Sequence, residues 1–231
     1  MKIKHALILA AGRGQRLMPL TQYIPKPMIT VNGISLIEQG INNLKKHVPF
    51  IHITVGYKGA MLAAHVIEKD ISTVINTEQQ TNSWWIHHSL LRYLNEPIIV
   101  LTCDNIVELN LDFLMKDYFE TGAPGCMVVP VIPVDGLDGD YIFHKNRMVY
   151  ELNRYKESDS YCSGIQIINP FKVNELTKAN EQSTFYDIWN QLIEQKQLFC
   201  STVYPDKWIS IDNISQLESA QRELQGKCLK S

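Results

Sequence analysis

The sequence has no excess of charge of either sign. Lysine and arginine number 22 against 24 aspartates and glutamates, a net charge of -2 at pH 7. That balance speaks against a nucleic acid as the main partner, yet leaves room for a local basic pocket. No apolar stretch approaches the length of a membrane span. The lysine-flanked run from Met1 to Ala10 is too short to cross a bilayer and lacks a signal-peptide layout, so no membrane partner is expected. Cysteine is scarce as well. Cys103, Cys126, Cys162, Cys200 and Cys228 are scattered, odd in number and form no Cys-x-x-Cys pair. Neither a zinc site nor a disulfide framework is suggested, and a reducing cytoplasm is the expected compartment.

The chain has 231 residues, 45% hydrophobic and 20% charged, which is ordinary for a globular protein. Apolar runs of strand length alternate with helix-like segments. Lys4 to Ala10 reads as a buried strand, because it is continuous and ends in small residues. Ala11 to Pro27, rich in glycine and proline, reads as a long loop. Met28 to Val31 reads as a short strand with Asn32-Gly33 as its turn. Helical spacing covers Ile34 to His47, Gly59 to Glu68 and Trp84 to Leu94, and strands are expected at Ile51 to Val55, Ser72 to Asn76 and Pro97 to Thr102. This alternation predicts an α/β fold with a mixed, mostly parallel sheet flanked by helices. In such sheets ligands sit beyond the carboxyl ends of the strands, where the loops at Ala11 and Asp104 should meet.

After about residue 124 the pattern changes. Gly125 to Pro133, Tyr141 to Leu152 and Cys162 to Ile168 look like strands, with a hairpin turn at Lys145-Asn146-Arg147. Helices are expected near Phe171 to Lys178, Phe185 to Gln195 and Ile214 to Leu224. The reading is one domain over 1–231, with a nucleotide-binding half at 1–123 and a smaller β-rich lobe at 124–231 that returns to the main sheet. No further domain is expected after it.

The most informative stretch is Leu9-Ala10-Ala11-Gly12-Arg13-Gly14-Gln15-Arg16-Leu17, followed by Pro25-Lys26-Pro27. Glycines and small residues let backbone N–H groups approach a polyphosphate. Arg16 and Lys26 can neutralise its charge, with Arg13 assisting. A glycine-rich turn with solvated basic residues is the bland alternative. A dinucleotide fingerprint needs a third glycine where Leu17 stands, and a Walker loop needs a Gly-Lys-Ser/Thr run that is missing. Farther on, Ile98 to Asn105 is a buried strand ending in Asp104, a carboxylate able to hold Mg²⁺ beside phosphates. A second acid, Asp212, precedes the last helix. A turn cap at Asp104 and a helix N-cap at Asp212 are the structural alternatives.

The combination LAAGRGQRLMPLT…PKPM resembles the signature of the sugar-phosphate nucleotidyltransferases, strongest over residues 1–110. That resemblance implies a Rossmann-like fold. It also implies an Mg²⁺-dependent enzyme that joins a nucleoside monophosphate from an NTP to a phosphorylated small molecule, with a sugar-1-phosphate as acceptor and an NDP-sugar for surface glycan synthesis as product. It places Ala10, Ala11, Gly12 and Gly14 along the nucleotide, Arg16 and Lys26 on its phosphates, and Asp104 and Asp212 on the metal. Asp104, Arg16 and Lys26 become the catalytic set.

In the family, the segment at Thr77 to Trp85 contacts the base and opens the next helix, so Glu78 and Asn82 can read a base edge. Asn82 or Ser83 can equally cap the helix. The Asn82 to Leu90 stretch also resembles cytidylyltransferases that act on phosphocholine. Trp84 and Trp85 offer an aromatic wall, yet adjacent positions diverge and at least one is expected in the core. His87-His88 diverge likewise and suit surface or packing roles. For the acceptor, Gly164 resembles a glycine that lets it approach the backbone, or marks a β-bulge. Arg154 or Lys156 stands where the family has an acceptor-phosphate lysine, and Trp208 walls the same pocket. Asp138-Gly139-Asp140 reads as a turn, with Asp140 facing an acceptor hydroxyl. A glycosyltransferase and a non-catalytic nucleotide-binding protein are the competing functions. The sequence leaves the oligomeric state open, a homodimer included.

Overall fold

The computed structural model describes residues 2–134 and 139–228. The chain opens with β1 (His5–Ala10). A segment of short helical turns follows, including α1 (Leu20–Tyr23), and then a hairpin of β2 (Thr30–Val31) and β3 (Ile34–Ser35). Asn32 and Gly33 both take positive φ at its tip, as a two-residue hairpin requires. Next come α2 (Leu36–Lys45), β4 (Phe50–Val55), α3 (Gly59–Ile67), β5 (Thr73–Asn76), α4 (Trp84–His88), β6 (Ile98–Thr102), β7 (Asn105–Glu108), α5 (Leu111–Glu120) and β8 (Cys126–Val131). The remainder is β9 (Tyr141–Lys145), β10 (Met148–Asn153), β11 (Tyr161–Ile168), α6 (Pro170–Leu176), α7 (Phe185–Glu194), β12 (Leu198–Cys200), β13 (Lys207–Ser210) and α8 (Ile214–Cys228).

A nine-stranded sheet runs through both halves in the order β5-β4-β1-β6-β11-β8-β12-β10-β9. All of its strands point one way except β10 and β11. The mostly parallel sheet expected from the alternation is therefore present. Its central strands are buried on both faces, which is why they read as continuous apolar runs. On β1, Ala6, Ile8 and Ala10 join the core under α2, α3 and α5, while Leu7 joins the opposite core with Trp85, Val173 and Ile188 from α4, α6 and α7.

Several elements differ from the sequence expectation. The helix expected to run to Leu94 stops at His88. There Ser89 Oγ donates to the Trp85 carbonyl at 2.6 Å and accepts from Leu91 N–H at 3.2 Å, which turns the backbone into a 3-10 segment. The expected loop from Ala11 to Pro27 is wound into short helical turns. The helix α5 and the short strands β7, β12 and β13 add to the pattern read from sequence. Among the described residues no helix is long and apolar enough to cross a membrane.

His87 is buried at the seam between α4 and α6, with Nδ1 3.0 Å from Asn174 Oδ1 and Nε2 3.4 Å from Thr177 Oγ1. Burial, with His88 and Arg92 adding positive charge nearby, lowers its pKa to about 4. A histidine depressed in the fold binds its proton more tightly when unfolded. Its contribution is therefore complete above the unfolded value of about 6.5 and is lost as pH falls toward 4. Urea denaturation should show lower stability at pH 5 than at pH 7.5. His87→Gln should make that drop shallower by on the order of 1–2 kcal/mol; an equal drop in both proteins would contradict the assignment.

Candidate active site

Parallel pairing brings three strand ends to one edge: Ala10 of β1 lies beside Val55 of β4, and Leu9 beside Thr102 of β6. The segment leaving β1 curls over that edge. Gly14 adopts φ +61, and its carbonyl accepts hydrogen bonds from Leu17 N–H and Thr21 Oγ, each at 3.0 Å. A Cβ on Gly14 would lie 2.8 Å from Lys26 Cβ, so glycine is required both by conformation and by the lysine stem packed on it. At Gly12 a Cβ would meet nothing within 4 Å. Gly56, at the end of β4, passes so close to Ala11 that a Cβ there would sit 2.7 Å from the Ala11 carbonyl oxygen. Leu17, Ile29 and Val31 anchor the segment in a third small core with Ile211, Leu217 and Ala220 from the α8 region.

Two acids distant in sequence meet through a two-stranded ribbon. β7 pairs antiparallel with β13, placing Ser210 beside Asn105, and Ile211 N–H donates to the Asp104 carbonyl at 2.9 Å. Lys26, with only 8% of its side chain exposed, projects between the two carboxylates. Its Nζ lies 3.1 Å from Asp104 Oδ2 and 2.9 Å from Asp212 Oδ1. Arg16 reaches the same Asp212 oxygen at 3.2 Å from the solvent side. Burial works against the charge on Lys26, but Asp104 and then Asp212 outweigh it and raise the ammonium above the ordinary lysine value. Burial likewise opposes the Asp212 carboxylate, and Lys26 followed by Arg16 holds it below the ordinary aspartate value. The helix-cap role weighed for Asp212 belongs to its neighbour: Asn213 Oδ1 accepts from Gln216 N–H at 2.9 Å.

Around this cluster lies a cleft of about 740 Å³, lined by Ala11, Gly12, Arg13, Gly14, Arg16, Lys26, Asn82, Asp104 and Asp212 among others. A second, smaller pocket of about 180 Å³ adjoins it, lined by Asp140, Tyr161, Gly164, Trp208 and Ser210. The two share the wall formed by Thr102, Asp104 and Asp212. Trp208 is fixed by its Nε1–H donating to the Ser163 carbonyl at 2.9 Å, which also accepts from Asn105 Nδ2 at 3.0 Å. Gly164 has φ +81, sits where β11 slips register against β8, and would place a Cβ 2.9 Å from Thr102 Oγ1. The β-bulge reading and a tight approach to the β6 end thus both account for that glycine.

Not every residue singled out from sequence faces these spaces. Ala10 is buried in the strand end, its N–H held by Thr54 Oγ1 at 3.1 Å. Glu78 is absent from the cleft wall, which takes Gln79, Gln80 and Thr81 from the same turn. Gln79 holds φ +64 there, so the turn presents positions that a linear reading has no means to rank. Thr77, which opens the segment expected at the base, lies in the wall, and so does Thr54 of β4, which carries no signal in sequence. Neither Asn82 nor Ser83 caps α4 by its side chain: Asn82 faces the cleft, and Ser83 Oγ donates to the Ser183 carbonyl at 2.8 Å. Trp85 is fully buried, while Trp84 stacks on His88 with ring centroids 5.2 Å apart.

Arg154 Nε donates to Asp140 Oδ1 at 3.1 Å, and Tyr186 donates to the same oxygen, so Arg154 stands one residue behind the small pocket. Lys156 instead pairs with Glu151 at 3.4 Å and lies over the Phe143 ring. Asp138 lies outside the described residues. Cys103 lines the cleft, but burial, with Asp104 nearby, pushes its thiol well up, which keeps it protonated rather than nucleophilic. No histidine is found among the described residues of either wall.

Known proteins resemble this chain in sequence and in fold. The bifunctional protein GlmU of Methanococcus aeolicus is 31% identical over 112 residues, which cover 48% of this chain and 27% of that protein. The UTP–glucose-1-phosphate uridylyltransferase AglF of Haloferax volcanii is 28% identical over 134 residues, 56% of this chain and 55% of its own length. The chain thus spans about a quarter of the first relative and about half of the second. Among solved structures, the CTP:phosphocholine cytidylyltransferase LicC of Streptococcus pneumoniae superposes with a TM-score of 0.75 at 19% identity, over 96% of this chain and 99% of that one, a likeness of fold. Residues 5–136 match the family model described as nucleotidyl transferase, more than half of the chain, and the chain belongs to that family.

Proposed function

We propose that this chain transfers a nucleoside monophosphate from an NTP to a sugar-1-phosphate, releasing pyrophosphate and forming an NDP-sugar of the kind used in surface glycan synthesis. The observation that carries the reading is the shared wall. A cleft with glycines and basic groups for a triphosphate and a small pocket for an acceptor open onto the same two aspartates and one lysine. The related AglF, named for UTP and glucose-1-phosphate, supports the acceptor class.

The donor set fits magnesium. Two hard carboxylates converge beside a phosphate cleft, and Mg²⁺ is commonly held by one or two carboxylates plus substrate phosphates. Among the described residues no group of three or more His, Cys, Asp or Glu side chains is placed to hold an ion. Zinc, which draws on histidine and thiolate ligands, is less well matched. Asp104 and Asp212 would hold the ion, which would supply positive charge to the phosphoryl oxygens.

The chain's own residues do the rest. Backbone N–H groups around Gly12 and Gly14 cradle the polyphosphate, and Lys26 and Arg16 neutralise it. An acceptor phosphate monoester has a second pKa near 6 and is ionised at neutral pH, so its oxygen needs no protein base. That oxygen bonds to the α-phosphorus, the bond from the α-phosphorus to its bridging oxygen breaks, and pyrophosphate leaves with the electron pair. Catalysis is positioning and charge neutralisation. Asp140, Gly164 and Trp208 shape the acceptor side, with Arg154 available to its phosphate by letting go of Asp140. Lys156, drawn to Glu151, is the weaker choice.

A second reading is favoured by one feature of the small pocket. Its wall carries Asp104, Asp140 and Asp212 with Tyr161 and Trp208, and no lysine or arginine among the described residues. That lining suits a compact phosphate ester with a cationic group, such as phosphocholine paired with CTP.

Incubating the protein with CTP, UTP, GTP or dTTP, Mg²⁺, and a panel of sugar-1-phosphates plus phosphocholine should release pyrophosphate from one pair. Lys26→Ala should cut that rate by about 100-fold or more. Full activity in Lys26→Ala would remove the site assignment. NDP release from a nucleotide-sugar would point to a glycosyltransferase, and nucleotide binding without turnover of any pair to a binding protein. The two loop glycines should separate. Gly14→Ala, strained by roughly 1–2 kcal/mol at positive φ and pressing on Lys26, should lower both the melting temperature and kcat. Gly12→Ala should leave melting unchanged and raise the KM for the NTP. Identical behaviour of the two variants would contradict the loop geometry.

A further inference from the structure

The Lys26 ammonium occupies one oxygen of each carboxylate that would seat a metal. It is bonded to Asp104 Oδ2 at 3.1 Å and Asp212 Oδ1 at 2.9 Å, and Arg16 shares the second oxygen at 3.2 Å. Two positive and two negative side chains form a locally neutral set. A divalent cation added to that set by itself brings two uncompensated charges against an ammonium that is 8% exposed and poorly screened. The lysine is tied to the loop as well. Its stem lies against Gly14, whose added Cβ would fall 2.8 Å from Lys26 Cβ and 3.2 Å from Lys26 Cδ. The stem is therefore pinned to the phosphate loop while the tip turns toward the carboxylates.

We infer that Lys26 is a charge latch: it keeps the metal seat closed until a polyphosphate in the loop draws its ammonium away from Asp104 and Asp212. Metal and polyphosphate then bind with positive coupling, and by reciprocity each raises the affinity for the other. The coupling resides in one side chain that faces both ligands, so no larger conformational change is required. The inference rests on the reading that Asp104 and Asp212 seat the metal of the transfer reaction.

The test is Mn²⁺ binding to the protein without nucleotide, followed by electron paramagnetic resonance of the free ion. Wild type should bind Mn²⁺ weakly, and Lys26→Met should bind it about tenfold more tightly or better, because the competing charge is gone. Lys26→Gln, which keeps a hydrogen-bond donor without the charge, should show the same gain and serves if the methionine variant does not fold. Adding Asp104→Asn to either variant should abolish the gain. If Mn²⁺ affinity is unchanged in both lysine variants while Asp104→Asn still weakens it, the latch is overturned and the metal seat stands. If tight Mn²⁺ binding survives Asp104→Asn, the seat itself is wrong, and the latch falls with it.

Discussion

The rest of the site is arranged around one buried ammonium. Asp104 and Asp212 would repel each other at the distance the fold imposes, and an unpaired charge removed from water is costly. Lys26 resolves both problems by bonding to each. To place it there, the sheet must bring the β1 and β6 ends side by side, the β7–β13 ribbon must carry Asp212 back to Asp104, and the phosphate loop must hold the lysine stem against Gly14. Loss of any one of these leaves a charge without its partner.

The reversal of strand direction at β11 has a comparable consequence for the smaller pocket. Parallel strands deliver their carboxyl ends to the larger cleft. An antiparallel neighbour runs back along β6, and its bulge at Gly164 lies against Thr102, the last residue of that strand. The same strand end therefore borders both the cleft and the smaller pocket. Asp140, held by Arg154 and Tyr186, closes the far side of the smaller one.

Much of this was legible in sequence where local chemistry is decisive. The unbroken apolar runs of β1 and β6 announce central parallel strands, and Asn32-Gly33 and Asn146-Arg147 take the positive φ their turns demand. The loop residues from Ala11 to Arg16, together with Lys26 and both aspartates, line one cleft as a group. Other features depend on partners far along the chain. β7 and β13 are four residues each, too short for a period, and exist because they pair with one another. Which residues of the Thr77 to Asn82 turn line the cleft depends on how the backbone turns at Gln79, where φ is +64, and Glu78 is not among them. The helix α5 carried a usable signal in Asn110 as its cap and Leu111, Leu114, Met115 and Tyr118 as its buried stripe. Asp212 and Asn213, equally good caps on paper, are distinguished only by where the ribbon sends them.

The small core that joins Leu17, Ile29 and Val31 to Ile211, Leu217 and Ala220 ties the phosphate loop to the last helix. During synthesis, residues 17–31 emerge well before residues 211–220. Until residues near 211–220 leave the ribosome, the loop lacks its apolar backing and Lys26 lacks Asp212. A nascent chain can thus form much of its sheet before the loop is backed and before Lys26 has both of its carboxylate partners.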